Sequence, residues 1–141
     1  QGLHLICDAQ GCACDPSLLI DTQALENLCK LSVKHSGLRQ VNALFHKFSN
    51  DPQSGVTGVV LLAESHIAVH TWPELNAVTL DVYVCNYGYD NSAKAESLMD
   101  KLLVAFAPSR HALQRVIRGN GTATVPLDRI PPMLTVAELP E

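Results

Sequence analysis

Apolar residues recur along the chain in two rhythms, one near the helical period and one of period two, and the changes of rhythm mark its elements. Leu3 to Cys7 is a short apolar run that predicts a strand, and the small, polar stretch Asp8 to Pro16 reads as a loop. From Asp21 or Thr22 as N-cap, Leu25, Leu28 and Cys29 follow at helical spacing, closing at Gly37 after Lys34 and His35. Arg39 to Phe48 sets Val41, Ala43 and Phe45 against Asn42 and His46, which predicts a strand with one buried face. Ser49 to Gly55 carries turn chemistry. Gly58 to Ala63 is a continuous apolar run, and Ile67 to Val69 resumes it after the polar interruption Glu64-Ser65-His66. Ala77 to Cys85 alternates cleanly: Val78, Leu80, Val82 and Val84 point one way, Thr79, Asp81, Tyr83 and Cys85 the other.

Asn91 is the expected cap of an amphipathic helix in which Ala95, Leu98, Met99, Leu102, Leu103 and Phe106 share a face, stopped by Pro108. His111 to Arg118 reads as a last strand. The element order resembles a loose internal β-α-β repeat, with too few helices to cover both faces of a parallel sheet. The expected fold class is therefore α+β, a two-layer α/β sandwich with an antiparallel sheet and two main helices. Residues 1–119 form one expected domain, and 120–141 a tail whose Pro126, Pro131, Pro132 and Pro140 suit no central strand.

Composition narrows the function. Ten Lys+Arg against 14 Asp+Glu leave a formal charge of −4, with no positive excess for phosphates, so no nucleic-acid partner is expected. Apolar runs fall far short of a membrane span and no signal-peptide pattern precedes them, so a soluble cytoplasmic chain with no membrane partner is expected. Five cysteines, an odd and irregularly spaced set, predict reduced thiols. Aromatic residues make up only 5% of the chain, so any exposed aromatic cluster stands out.

The polar cluster Glu64-Ser65-His66, followed by His70, Trp72 and Glu74, stands where an uneventful strand would carry Val or Ile. A strand end or hairpin with hydrated or hydrogen-bonded side chains accounts for a generic Ser-His pair. The cluster lacks the glycines of a nucleophile elbow, which argues against a serine hydrolase. His66 and His70 have the spacing of a helical zinc pair, but Ile67, Val69 and Pro73 disfavour a helix, and Cys12-x-Cys14 is too short and isolated, so no metal is expected.

The runs Phe45-His46-Lys47-Phe48, Gly55-Val56-Thr57-Gly58-Val59-Val60, Ala63-Glu64-Ser65-His66-Ile67-Ala68-Val69-His70-Thr71-Trp72-Pro73-Glu74 and Leu80-Asp81-Val82-Tyr83-Val84-Cys85 carry a resemblance. Together they resemble the prokaryotic S-adenosylmethionine decarboxylase proenzyme family, from about Gly2 to Gly119. The resemblance implies self-cleavage between Glu64 and Ser65, the serine hydroxyl attacking the glutamate carbonyl. It also implies a covalent pyruvoyl group derived from Ser65, which forms a Schiff base with a substrate amine and accepts electrons as carbon dioxide leaves.

By the same resemblance His70 is the base in processing and Cys85 the acid that reprotonates the substrate α-carbon. Thr57 stands where the family usually has serine, keeping the hydroxyl but adding a methyl, so slower processing is expected. Phe48, Trp72 and Glu74 map to the substrate pocket, an aromatic face for adenine and a carboxylate for ribose; for Phe48, at a strand end, core packing competes. The implied partners are a small amino acid substrate and a second copy of the chain, the family forming homodimers whose pockets draw on both subunits. The family's tyrosine- and glycine-containing stretch after H-T-W-P-E is replaced here by Leu75-Asn76-Ala77-Val78-Thr79. Ornithine or arginine, whose distal cation calls for a carboxylate such as Asp81, is the alternative substrate, although Asp81 reads more readily as a structural strand carboxylate; an unprocessed regulatory partner is the alternative role. Spermidine biosynthesis is the implied setting.

Overall fold

The computed structural model describes residues 1–119; the tail expected at 120–141 lies outside them. Its strands are β1 (Gly2–Gln10), β2 (Gln40–Lys47), β3 (Val56–Leu62), β4 (His66–Trp72), β5 (Ala77–Cys85) and β6 (Arg110–Arg118). They form one sheet in the order β2-β3-β4-β5-β1-β6, with every neighbouring pair antiparallel. The helices are α1 (Ser17–Ile20), α2 (Thr22–His35) and α3 (Ser92–Phe106). Helix α2 packs over β2 and β3, and α3 over β1 and β5, so the two main helices cover one face of the sheet. This is the α+β sandwich that the patterning predicts.

Period two explains the layering. On β5 Val78, Leu80, Val82 and Val84 are fully buried beneath the helices, while their neighbours Thr79, Asp81, Tyr83 and Cys85 are half-buried on the opposite face. Leu3, Leu5, Val56, Val60, Ile67 and Val69 continue the buried layer across the sheet. Helix α3 closes it with Ala95, Leu98, Met99, Leu102 and Phe106, the face expected from the sequence. Asp21 caps α2 by accepting from the Gln23 N–H, and Gly37 follows the helix with φ +80°, a left-handed turn that suits glycine.

Three local expectations need correction. Strand β1 continues through Asp8, Ala9 and Gln10, because Asp8 and Ala9 keep ladder partners on both β5 and β6 and Gln10 one on β6, while the Asp8 and Gln10 side chains point off the core. Val41 is 64% exposed, not buried, because a bulge between Gln40 and Asn42 shifts the register of β2. The apolar run to Ala63 and its resumption at Ile67 are two antiparallel strands folded back on each other, with His66 already inside the second. The short helix α1, opened by Asp15 accepting from the Ser17 N–H, was not legible in the pattern.

Candidate active site

The polar interruption in the sequence is the tip of the β3–β4 hairpin. Leu62 N–H donates to the Ser65 carbonyl at 2.9 Å, which leaves Ala63 and Glu64 exposed at the centre of the turn. His66 pairs with Tyr83 and the strands are antiparallel, so Ser65, the residue just before β4, faces the end of β5. There the Cys85 backbone N–H donates to Ser65 Oγ at 3.1 Å. The hydroxyl expected to act as nucleophile is thus fixed beside the cysteine expected to act as acid, and one residue from the Glu64 carbonyl.

An amide network holds this strand end. Asn91 Nδ2 donates to the Cys85 carbonyl at 2.9 Å, Asn91 N–H donates to Asn86 Oδ1 at 2.8 Å, and Asn86 Nδ2 donates to Ser92 Oγ at 3.0 Å. Asn91 therefore occupies the N-cap position of α3 as expected, but spends its side chain on β5; Asp90 instead accepts from the Ser92 N–H at 2.9 Å. That bond holds the Asp90 carboxyl below the usual carboxylate range. A cavity of about 330 Å³ opens here, lined by Glu64, Ser65, Cys85, Tyr87, Tyr89 and the cations Arg39 and Lys94 among others. Sequence reasoning passed over the two tyrosines and Asn86, and read Asn91 only as a helix cap. A larger groove of about 750 Å³, along α2 at Lys30, Leu31 and Lys34, shares Arg39 with this cavity but holds no nucleophile.

The remaining expected site residues gather elsewhere. Phe48 and Trp72 meet ring to ring, centroids 5.1 Å apart, with Phe48 41% exposed and therefore not a core residue. Gly55 makes room for them: a Cβ there would strike the Thr71 carbonyl and crowd the Phe48 ring and Pro73. Glu74 is exposed in the 3-10 turn Pro73–Leu75 that follows β4. Thr57 Oγ1 and His70 Nδ1 lie 3.2 Å apart on facing strands. At about 3.3 Å per strand residue, His70 lies roughly 17 Å and Trp72 roughly 23 Å along β4 from Ser65. Within one chain the expected residues thus form two half-sites at opposite ends of one sheet face.

Between the half-sites, that face carries ionisable groups. His4 Nε2 lies 3.4 Å from Asp81 Oδ2, Arg118 reaches His4 Nδ1 at 3.4 Å and stacks over the Tyr83 ring, and His66 sits against both His4 and Tyr83. Burial, then the neighbouring His4 and Arg118, push the His66 imidazole below its ordinary value, with Asp81 pulling the other way. The other cysteines are set apart from this chemistry: burial drives Cys12 up to about 11 and Cys29 up to about 12, leaving them protonated thiols. Among the described residues, no group of three or more His, Cys, Asp or Glu side chains is placed to hold a metal ion. No helix among them is long and apolar enough to cross a membrane.

Fold and comparisons together define a class, the carboxy-lyases. The family model described as S-adenosylmethionine decarboxylase matches residues 3–119. The chain is 37% identical over 108 residues to the S-adenosylmethionine decarboxylase proenzyme of a Hydrogenobaculum species, spanning 77% of this chain and 74% of that one. It is 35% identical over 130 residues to the proenzyme of a Synechococcus species, covering 92% and 94%. The crystal structure of the adenosylmethionine decarboxylase from Aquifex aeolicus superposes with a TM-score of 0.73 at 34% identity, covering 84% of this chain and 90% of that one. The chain belongs to the S-adenosylmethionine decarboxylase family.

Proposed function

We propose that this chain is the self-cleaving precursor of a pyruvoyl-dependent S-adenosylmethionine decarboxylase, acting in polyamine biosynthesis, with Ser65 as the source of its reactive group. The observation that carries the reading is the Ser65 hydroxyl, held by the Cys85 N–H on an exposed hairpin tip beside the Glu64 carbonyl. Attack of Ser65 Oγ on that carbonyl exchanges the amide for an ester and frees the Ser65 nitrogen. Loss of the Ser65 α-proton then expels Glu64 as a carboxylate, and water releases the nitrogen as ammonia, leaving a pyruvoyl group at the head of the second chain. The residues fit the formation of this group: Ser65 Oγ leaves with the Glu64 carboxylate while water supplies the ketone oxygen in place of the Ser65 nitrogen, so the Cys85 N–H that now meets Oγ is a donor for the ester and the departing carboxylate.

Once formed, that group supplies an electrophilic ketone for the substrate amine and an electron sink as carbon dioxide departs. Cys85, half-exposed on the same strand end, is then the group that returns a proton to the α-carbon. Phe48 and Trp72 offer a tilted aromatic pair for a nucleobase, and Glu74 an exposed carboxylate for ribose hydroxyls. The platform favours a nucleoside substrate over ornithine or arginine; Asp81, the carboxylate that would meet a distal cation, lies against His4 at 3.4 Å instead of standing alone.

The two half-sites become one site in a homodimer. Packing the half-buried faces of two sheets with their strands reversed brings the Ser65 end of each copy over the Trp72 end of the other. It also delivers His70 and Thr57 to the partner's cleavage bond. Intact-protein mass measurement after borohydride trapping, with S-adenosylmethionine, ornithine and arginine offered separately, tests the reading. The expected result is a chain split between Glu64 and Ser65 whose second fragment gains one decarboxylated S-adenosylmethionine. An uncut chain without adduct refutes it.

A further inference from the structure

We infer that Tyr87 and Tyr89 are substrate-contacting, specificity-determining residues whose rings receive the sulfonium of S-adenosylmethionine; the inference rests on Ser65 being the reacting centre. Of the seven aromatic residues in the chain, these two stand out: they are 84% and 80% exposed, two residues apart, and both line the cavity that contains Ser65 and Cys85. Nothing in the fold requires large apolar side chains there. Their loop is fixed at its ends by the Asn86 and Asn91 side chains, while its tip turns at Gly88 with φ +83° and open space around it. The tip is thus tethered within reach of Cys85 yet free to adjust over a ligand.

Chemistry selects the part of the substrate. The sulfonium lies two methylenes from the α-carbon, so a substrate joined at Ser65 carries its positive charge into this cavity, ahead of the nucleoside bound by the aromatic pair at the other half-site. Arg39 and Lys94 repel that charge, whereas the two ring faces and Glu64, which gains an α-carboxylate on cleavage, attract it. Covering the cavity with the rings also excludes water from the reacting carbon.

The test compares wild type with Tyr87→Ala/Tyr89→Ala and Tyr87→Phe/Tyr89→Phe in the full chain, reading cleavage on denaturing gels, then kcat and KM for S-adenosylmethionine. Inhibition is read with a matched pair, the decarboxylated sulfonium product and the neutral thioether methylthioadenosine. Complete cleavage in all three chains is expected, with KM and the product's inhibition constant raised about tenfold in the alanine variant and restored in the phenylalanine variant, as a cation–π contact requires. Methylthioadenosine is expected to bind the three nearly alike. An unchanged KM in the alanine variant, or equal weakening of the charged and neutral ligands, overturns the inference while leaving the decarboxylase reading intact. A wild-type chain that does not turn over S-adenosylmethionine overturns that reading itself, and the inference with it.

Discussion

Ser65 and Cys85 illustrate how much a single backbone hydrogen bond decides. Cys85 lies at the end of β5, still paired with Gly2 of β1 but beyond the last partner on β4, and Ser65 Oγ takes its N–H at 3.1 Å. The same bond places the hydroxyl beside the thiol and limits its rotation. Ser65→Ala removes the oxygen that starts the acyl shift, so the chain is expected to stay at full length on a denaturing gel and to release no carbon dioxide. Cys85→Ser keeps the backbone N–H and therefore cleavage, but replaces the proton donor by a much weaker acid. Turnover is expected to fall about a hundredfold or more, with aldehyde formed by protonation at the wrong carbon, as product analysis would show. The setting of both residues was legible in the sequence, Cys85 through its position off the Val/Leu face of β5 and Ser65 through its place in a polar cluster, while the roles proposed for them rest on the family resemblance. Their hydrogen bond was not legible, because it joins residues twenty positions apart across a strand pairing that no local period reveals.

Between elements, Thr71 does for the frame what Ser65 does for the site. It is fully buried at the far end of β4, accepts from the Val56 N–H at 2.8 Å and donates to the Leu19 carbonyl at 2.7 Å, tying α1 to the sheet. Thr71→Val has the same shape but leaves a buried donor and a buried acceptor unmet, so a loss of about 1–3 kcal/mol is expected in denaturant unfolding. A second element-scale consequence concerns β4 and pH. His66 is held below its ordinary value by burial and by His4, so in acid the unfolded chain takes up the proton first. Stability is then full above the unfolded value of about 6.5 and declines as pH falls below it. The thermal midpoint is expected to drop between pH 7 and 5, with a shallower slope in His66→Asn. Elements with an uninterrupted period, β5, α2 and α3, were readable from the sequence alone. The β3–β4 hairpin was legible only as one alternative for the polar interruption, because its tip carries neither Gly nor Pro and apolar residues run almost continuously through both strands. The bulge in β2 and helix α1 were missed because each depends on a partner strand or a buried threonine far along the chain.

At the scale of the molecule, the sheet separates what the sequence kept together. Ser65, His70, Trp72 and Glu74 sit within ten positions, yet the extended β4 sets Trp72 roughly 23 Å from Ser65. Proximity in sequence therefore misleads about proximity in space, and in the reading proposed above a second chain supplies the missing half. The two-fold dimer proposed above makes a quantitative prediction. Each of its two sites takes Ser65 from one copy and Trp72 from the other, so homodimers of Ser65→Ala and homodimers of Trp72→Ala are both inactive. A mixed dimer has one site lacking both residues and one site with neither lost. If the variants are co-expressed and pair at random, half the dimers are mixed, and the mixture regains about a quarter of wild-type activity. Mixing the same variants after each has been purified separately restores activity only as fast as the dimers exchange, which links the recovered rate to subunit dissociation. A site formed within one chain predicts the opposite: a co-expressed mixture no more active than its parents. Sedimentation of the same samples fixes the dimer population against which the recovered activity is measured.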